Sequence, residues 1–249
     1  MPRTARKKSK TEQYHVMLRG INQQQIFLDD EDCEKFIEVL QASKTASCFE
    51  LYAYCLMGNH IHLLLKTIGE ELDQIFKRIG ARYVYWYNWK YRRVGHLFQD
   101  RFKSECIEDD MYFLSVLRYI HQNPVKAGLC DTIEEYRWSS YKEYIGNRKI
   151  VDTGFPLEMM GLDEFIRYSS SSNNENCLEY SEKSFRFTDT EAKGVMKSIS
   201  KCDTVEEFQK LGSQDRVKSI KKLKAEGISI RQISRLTGVS KGLVEKALR

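Results

Sequence analysis

The stretch GNHIHLLLK, residues 58–66, carries two imidazoles separated by one residue. On a β-strand, positions i and i+2 share a face, so His60 and His62 point the same way, with Ile61 and Leu63 on the other side. Two neutral imidazoles so placed can hold one divalent ion and leave its remaining positions open for other ligands or a substrate oxygen. Each histidine also has a plain structural explanation as a separately satisfied sheet residue, and for an isolated H-x-H that explanation is favoured.

A second stretch bears on the choice. In RYIHQNPVK, residues 118–126, Tyr119 and Asn123 are spaced i and i+4. On a helix their side chains lie one turn apart on one face, while His121 is rotated well away. A tyrosine can serve as a covalent nucleophile. An asparagine carbonyl oxygen is a suitable hard third ligand for Mg²⁺ or Mn²⁺. The structural alternatives are a core tyrosine and a helix-terminating asparagine before Pro124, and by themselves these would be favoured.

These residues need elements to position them. Residues 14–19 alternate as a first strand, and a helix follows from about Asp30 to Ser43, its start marked by the acidic run 29–32. LYAYCLM (51–57) and HIHLLLK (60–66) are strand-like and separated only by Gly58-Asn59, which fits a two-residue hairpin. Apolar residues from Leu72 to Tyr87 recur at the helical repeat and predict a long helix over about 70–91. Residues 101–107 read as a fourth strand, and 111–123 as a helix ended by Pro124. Strand, helix, hairpin, helix, strand, helix is an α+β order, which implies an antiparallel sheet with helices packed on it.

The chain has 249 residues, with 41% hydrophobic and 30% charged, which is the composition of a globular protein. No stretch approaches the ~20 apolar residues of a bilayer-crossing helix, and the N-terminus has no apolar segment after its charges, so no membrane association and a cytoplasmic location are expected. Seven scattered cysteines without a C-x-x-C pair argue for reduced thiols rather than a disulfide framework or a zinc knuckle. Charge is concentrated at the ends: residues 1–10 carry five basic and no acidic groups, and residues 213–249 carry ten against three. Such asymmetry suits a polyanion partner. Residues 77–103 hold eight basic groups against one acid, interleaved with aromatics. Basic groups can follow a phosphate backbone while aromatics stack on bases. Arg92, Arg93, His96 and Arg101, in a predicted loop and strand start, are better substrate candidates than the aromatics of the helix stripe. Near the C-terminus, residues 220–249 contain two short amphipathic helices around Thr237-Gly238-Val239, the pattern of a helix-turn-helix. Its second helix would present Lys241, Glu245, Lys246 and Arg249 to duplex DNA.

Taken together, YHVMLRGINQQQIF, YCLMGNHIHLLLK, GHLFQDRFKS, LRYIHQNPVKAGL and YRWSSY resemble, in the same order, segments of the HUH-type single-tyrosine transposases, in the branch of REP-associated tyrosine transposases. The resemblance covers roughly residues 11–145. It implies a ferredoxin-like antiparallel sheet, His60 and His62 as a metal pair on a central strand, Tyr119 as nucleophile on a following helix and Asn123 as third ligand, with His121 as fallback. Other branches place Gln or His four residues after the tyrosine. The implied reaction is Mg²⁺- or Mn²⁺-assisted cleavage and rejoining of single-stranded hairpin DNA through a 5′-phosphotyrosine link, with the basic arm around Arg3, Arg6, Lys7 and Lys8 helping to read bases beside the hairpin. A regulator that binds DNA without cutting, and a metal nuclease that uses water, are the alternatives. The expected organisation is a catalytic domain over 1–146, a linker and irregular segment over 147–185, and a small all-α DNA-binding domain over 186–249, acting as a monomer or homodimer.

Overall fold

A computed structural model of the protein describes residues 6–146, 149–171, 177–178, 189–202 and 204–248. Arg3 and Arg249 lie outside the described residues. The chain divides into two compact units, Met1–Glu179 and Tyr180–Arg249.

In the first unit, β1 (Gln13–Arg19), α1 (Asp30–Ser47), β2 (Glu50–Met57), β3 (His60–Lys66), α2 (Leu72–Lys90), β4 (Lys103–Ile107) and α3 (Asp110–Lys126) follow one another. The strands form one sheet in the order β2-β3-β1-β4, every neighbouring pair antiparallel. That is the ferredoxin-like topology the resemblance implies. The helix starts are written in the sequence. Asp29 and Asp32 form a reciprocal capping box at α1, and Asp109 accepts from Tyr112 N–H at 2.8 Å to cap α3.

The β2–β3 turn contains the two expected residues, since Met57 pairs with His60. Its glycine packs against the end of the Gln25 side chain, which a larger residue would displace. A Cβ on Gly58 would lie 2.2 Å from Gln25 Oε1, and the Gly58 carbonyl accepts from Ile26 and Phe27 N–H at 2.8 and 3.2 Å. The turn is therefore clamped by the segment that follows β1, which fixes where β3 begins.

Cross-strand partners share a face. Cys55, His62, Met17 and Lys103 make one row across the sheet, and Ala53, Leu64, His15 and Glu105 make the next. The helix α3 crosses this face, touching β2, β3 and β4. The opposite face, with Val16, Ile61, Leu63 and Leu65 fully buried, is left for the α1–α2 pair, in which Tyr83 meets Phe36 edge-on at 5.1 Å.

Two expectations need correction. Pro124 does not end α3; it sits within the last turn and the helix continues to Lys126, closing with Ala127 N–H on the Asn123 carbonyl at 2.9 Å. Near a helix end a proline forfeits a single backbone bond, and the buried face of α3 holds the turn in place. The segment 147–185, read as linker, carries α4's successors: after α4 (Tyr141–Tyr144) come α5 (Gly154–Met160) and α6 (Leu162–Ser170), and Phe165 is fully buried. Phe165 stacks on Tyr144 at 4.3 Å and belongs to the core of the first unit. The polar run at 169–174 gave the segment its linker-like look, while its apolar residues were too few to show a clear period.

The second unit is helical: α7 (Asp189–Ser200), α8 (Val205–Lys210), α9 (Ser213–Ala225), α10 (Ile230–Thr237) and α11 (Lys241–Leu248). Phe208, Leu223, Ile228, Ile233 and Val244 are its fully buried centre. A capping box between Ser229 and Gln232 starts α10. Gly238, at φ +66, turns the chain towards α11, and a Cβ there would lie 2.5 Å from the Val205 side chain.

Candidate active site

On β3, His60 and His62 share a face as their spacing requires, with ring centroids 5.0 Å apart. His62 is buried and His60 half-buried. On the same face, Tyr119 of α3 stands edge-on to His62, its ring centroid 5.6 Å away. The structure thus brings the Tyr119 ring against His62, the buried member of the pair. Tyr119 is 2% exposed, so its ring is held by packing between helix and sheet.

Asn123, one turn further along α3, is also buried, and its amide nitrogen donates to the Tyr119 carbonyl at 3.1 Å. His121 is not brought to this group. Its ring lies among Tyr141, Tyr144 and Phe165, with Nε2 2.9 Å from Ser140 Oγ, and burial pushes its pKa down to about 3. Two residues from Tyr119 is more than half a helical turn, which points the ring to the other side of α3. The fallback ligand of the sequence reading therefore does not face the His60–His62 pair.

Other neighbouring groups were not singled out from the sequence. His15 of β1 is fully buried, and its Nε2 lies 3.0 Å from His62 Nδ1. Glu105 of β4 is directly opposite His15 in register, with Oε2 3.9 Å from His15 Nδ1. Arg19 pairs with His60 across β1 and β3, and Lys103 with Met17, which places two cations on the same face. Lys126, in the helical turn beyond Pro124, sets its ammonium 5.1 Å from the Tyr119 ring centre. The alternation of YHVMLR was the available signal for His15, but its neighbour across the sheet depends on register, which the sequence does not display.

Burial lowers the pKa of both His15 and His62, and for His62 the neighbouring imidazoles add to the effect. Both rings are consequently neutral near pH 7, each with one N–H and one lone pair. With Nδ1 facing His15, His62 has Nε2 left to ligate a cation. Among the described residues no group of three or more His, Cys, Asp and Glu side chains could hold a metal ion. The donors present thus fit a divalent ion as two imidazole nitrogens, with an amide, water or substrate oxygen completing the shell.

The expected DNA-contacting residues fall into separate places. Arg6 lies against Phe102, its guanidinium 3.6 Å from the ring centre, and pairs with Asp73. Lys8 bonds Glu71 at 2.6 Å, and Lys7 is exposed. The described part of the arm is therefore docked beside β4 and the start of α2. Arg101 shares Asp73 at 4.0 Å. Arg93 donates to Gln24 at 3.1 Å, while Arg92 and His96 are exposed. In the second unit, Lys241 and Lys246 are exposed on α11, and Lys241 lies 3.5 Å from Glu245.

Residues 8–123 match the family model described as "Transposase IS200 like". A Haemophilus influenzae (strain ATCC 51907 / DSM 11121 / KW20 / Rd) protein named as a REP-associated tyrosine transposase is 32% identical over 37% of this chain and 59% of its own length. The chain thus spans about three-fifths of that curated relative. Among solved structures, a REP-associated tyrosine transposase bound to a REP hairpin superposes with a TM-score of 0.52 at 16% identity, covering 61% of this chain and 90% of that one. A Deinococcus radiodurans R1 protein described as a transposase is 18% identical with a TM-score of 0.34, covering 49% of this chain and 97% of its own. Residues 8–123 of this chain are thus similar to the IS200-like transposases.

Proposed function

We propose that the protein is a metal-dependent single-tyrosine transposase that cleaves and rejoins single-stranded DNA near hairpins. The observation that carries this reading is the approach of the Tyr119 ring to within 5.6 Å of His62 on the face that also bears His60. A relative bound to a REP hairpin supports the substrate class.

Tyr119 is the attacking group. Its oxygen forms a bond to the scissile phosphorus as the bond to the 3′ oxygen breaks; the phenolic proton is lost and the departing oxygen gains one. The products are a 5′-phosphotyrosine and a free 3′-hydroxyl, and reversal by that hydroxyl or another rejoins strands without an external energy source. A Mg²⁺ or Mn²⁺ ion held by His60 and His62, with the Asn123 oxygen as third donor, would polarise the phosphate and stabilise the charge that develops on its oxygens. Lys126 lies where its charge offsets the negative charge of the phenolate as the proton leaves. Packing of Tyr119 between α3 and the sheet fixes the ring's approach and limits water as a competing nucleophile.

The basic arm, with Arg3, Arg6, Lys7 and Lys8, helps to read bases beside the hairpin, with Arg6 and Lys8 exchanging Asp73 and Glu71 for phosphates. The second unit adds duplex-DNA affinity through the exposed lysines of α11. Among the described residues no helix is long and apolar enough to cross a membrane.

The test is incubation with a 3′-labelled hairpin oligonucleotide and Mn²⁺, followed by denaturing gel analysis. Wild type retains label on the protein, and Tyr119→Phe and His62→Ala do not. Cleavage without an adduct would instead identify a nuclease that uses water, and binding without cleavage a regulator.

A further inference from the structure

Three adjacent strands place His62, His15 and Glu105 in a line. His62 Nδ1 and His15 Nε2 are 3.0 Å apart, and both rings are at most 1% exposed. Between two neutral imidazoles at that distance there is one proton, carried by one nitrogen or the other. The far end of the line decides which. His15 Nδ1 and Glu105 Oε2 are both buried, face each other at 3.9 Å, and have no hydrogen-bond partner. The nearby His15 ring, ahead of contacts from the Tyr112 hydroxyl and the Leu178 backbone N–H, outweighs burial and lowers the pKa of the Glu105 carboxyl, which favours the carboxylate.

We propose that Glu105 and His15 are positioning residues that lock His62 as its Nδ1–H tautomer, so that the Nε2 lone pair is presented to a divalent cation. A carboxylate beside His15 Nδ1 favours a proton there. His15 Nε2 is then an acceptor, and His62 must donate from Nδ1. The reverse arrangement sets the His15 Nδ1 lone pair against carboxylate lone pairs and protonates His62 Nε2, which blocks ligation. A metal-ligating histidine commonly directs its second ring nitrogen to a carboxylate or carbonyl; here the carboxylate acts one imidazole further away. The 3.9 Å gap is about 1 Å longer than a charge-assisted N–H···O bond, so the carboxylate acts on the His15 Nδ1 proton as a nearby negative charge.

The inference rests on the reading of His60 and His62 as a cation site, and two measurements separate them. Nitrogen-15 ring spectra of the metal-free full-length protein report the tautomer directly. Wild type should show His62 as Nδ1–H, and Glu105→Gln should shift the population towards Nε2–H. Binding of Mn²⁺ alone, followed by electron paramagnetic resonance, should weaken about tenfold or more in Glu105→Gln and in His15→Leu. His15→Gln, whose amide oxygen can accept from His62 Nδ1–H while its NH₂ faces Glu105, should restore most of the affinity. A wild-type His62 protonated at Nε2, or unchanged Mn²⁺ affinity in Glu105→Gln, would overturn the proposal. Should wild type bind Mn²⁺ no better than His60→Ala, the cation reading falls, and the tautomer spectrum still decides whether the chain exists.

Discussion

Replacing Phe165 by alanine should destabilise the first unit by about 3–5 kcal/mol, the usual cost of deleting a buried aromatic ring. Phe165 is fully buried, lies at 4.3 and 5.7 Å from the rings of Tyr144 and Tyr141, and meets His121 edge-on at 5.9 Å. Aromatic pairs contribute roughly 0.5–1.5 kcal/mol beyond area burial, so the upper half of the range is expected. For a unit of this size the midpoint of thermal unfolding should fall by about 6–20 °C. The assay is conveniently local, because the chain's three tryptophans, Trp86, Trp89 and Trp138, all belong to the first unit and their fluorescence follows it alone. A residue in an exposed linker would cost within about 0.5 kcal/mol. A loss below about 1 kcal/mol would therefore refute the inclusion of α6 in this core.

Lys126→Met, which keeps the aliphatic stem, should slow single-turnover adduct formation by about five- to thirtyfold through loss of roughly 1–2 kcal/mol of charge stabilisation; an unchanged rate at saturating hairpin DNA would remove Lys126 from the mechanism. Burial and neighbouring carboxylates push the Cys33 thiol up to about 12, whereas Cys48 is exposed. At pH 8 only about one Cys33 in ten thousand is thiolate, so mass spectrometry after brief alkylation should find Cys48 modified and Cys33 intact, with Cys33 labelling rising about tenfold per pH unit. Equal labelling of the two would contradict the burial of Cys33. Lys246→Ala should weaken duplex-DNA binding evenly across sequences and reduce the salt slope by about one; an unchanged slope would exclude a phosphate contact at that residue.

The parts of the site legible in the sequence are those set by local periodicity. His60 and His62 share a face because any strand alternates, and Tyr119 and His121 diverge because any helix turns by about 100° per residue. The two-residue turn at Gly58-Asn59 was equally local, although its clamp, the bonds from Ile26 and Phe27 N–H to the Gly58 carbonyl, was not. Register was hidden. Nothing in YHVMLR or in the residues around Glu105 announces that β1 lies between β3 and β4, and that placement alone aligns His15 with Glu105 and sets it diagonally across from His62. Pro124 misled because a local stop signal was outweighed by packing of the whole helix. The basic residues gave the opposite lesson: composition showed a cationic arm, and only coordinates show Arg6 and Lys8 already committed to Asp73 and Glu71.

The helix that carries Tyr119 is gripped on both flanks. One side packs on the sheet, and on the other Gln122 donates to the carbonyls of Ser169 and Ser171 at 2.8 and 2.6 Å while Arg118 reaches Ser171 Oγ at 2.9 Å. A rod moored in this way makes a poor swinging arm. If the proposed strand exchange takes place here, each new end would have to come to a stationary tyrosine, so the choreography would belong to the nucleic acid and the protein would supply the anvil.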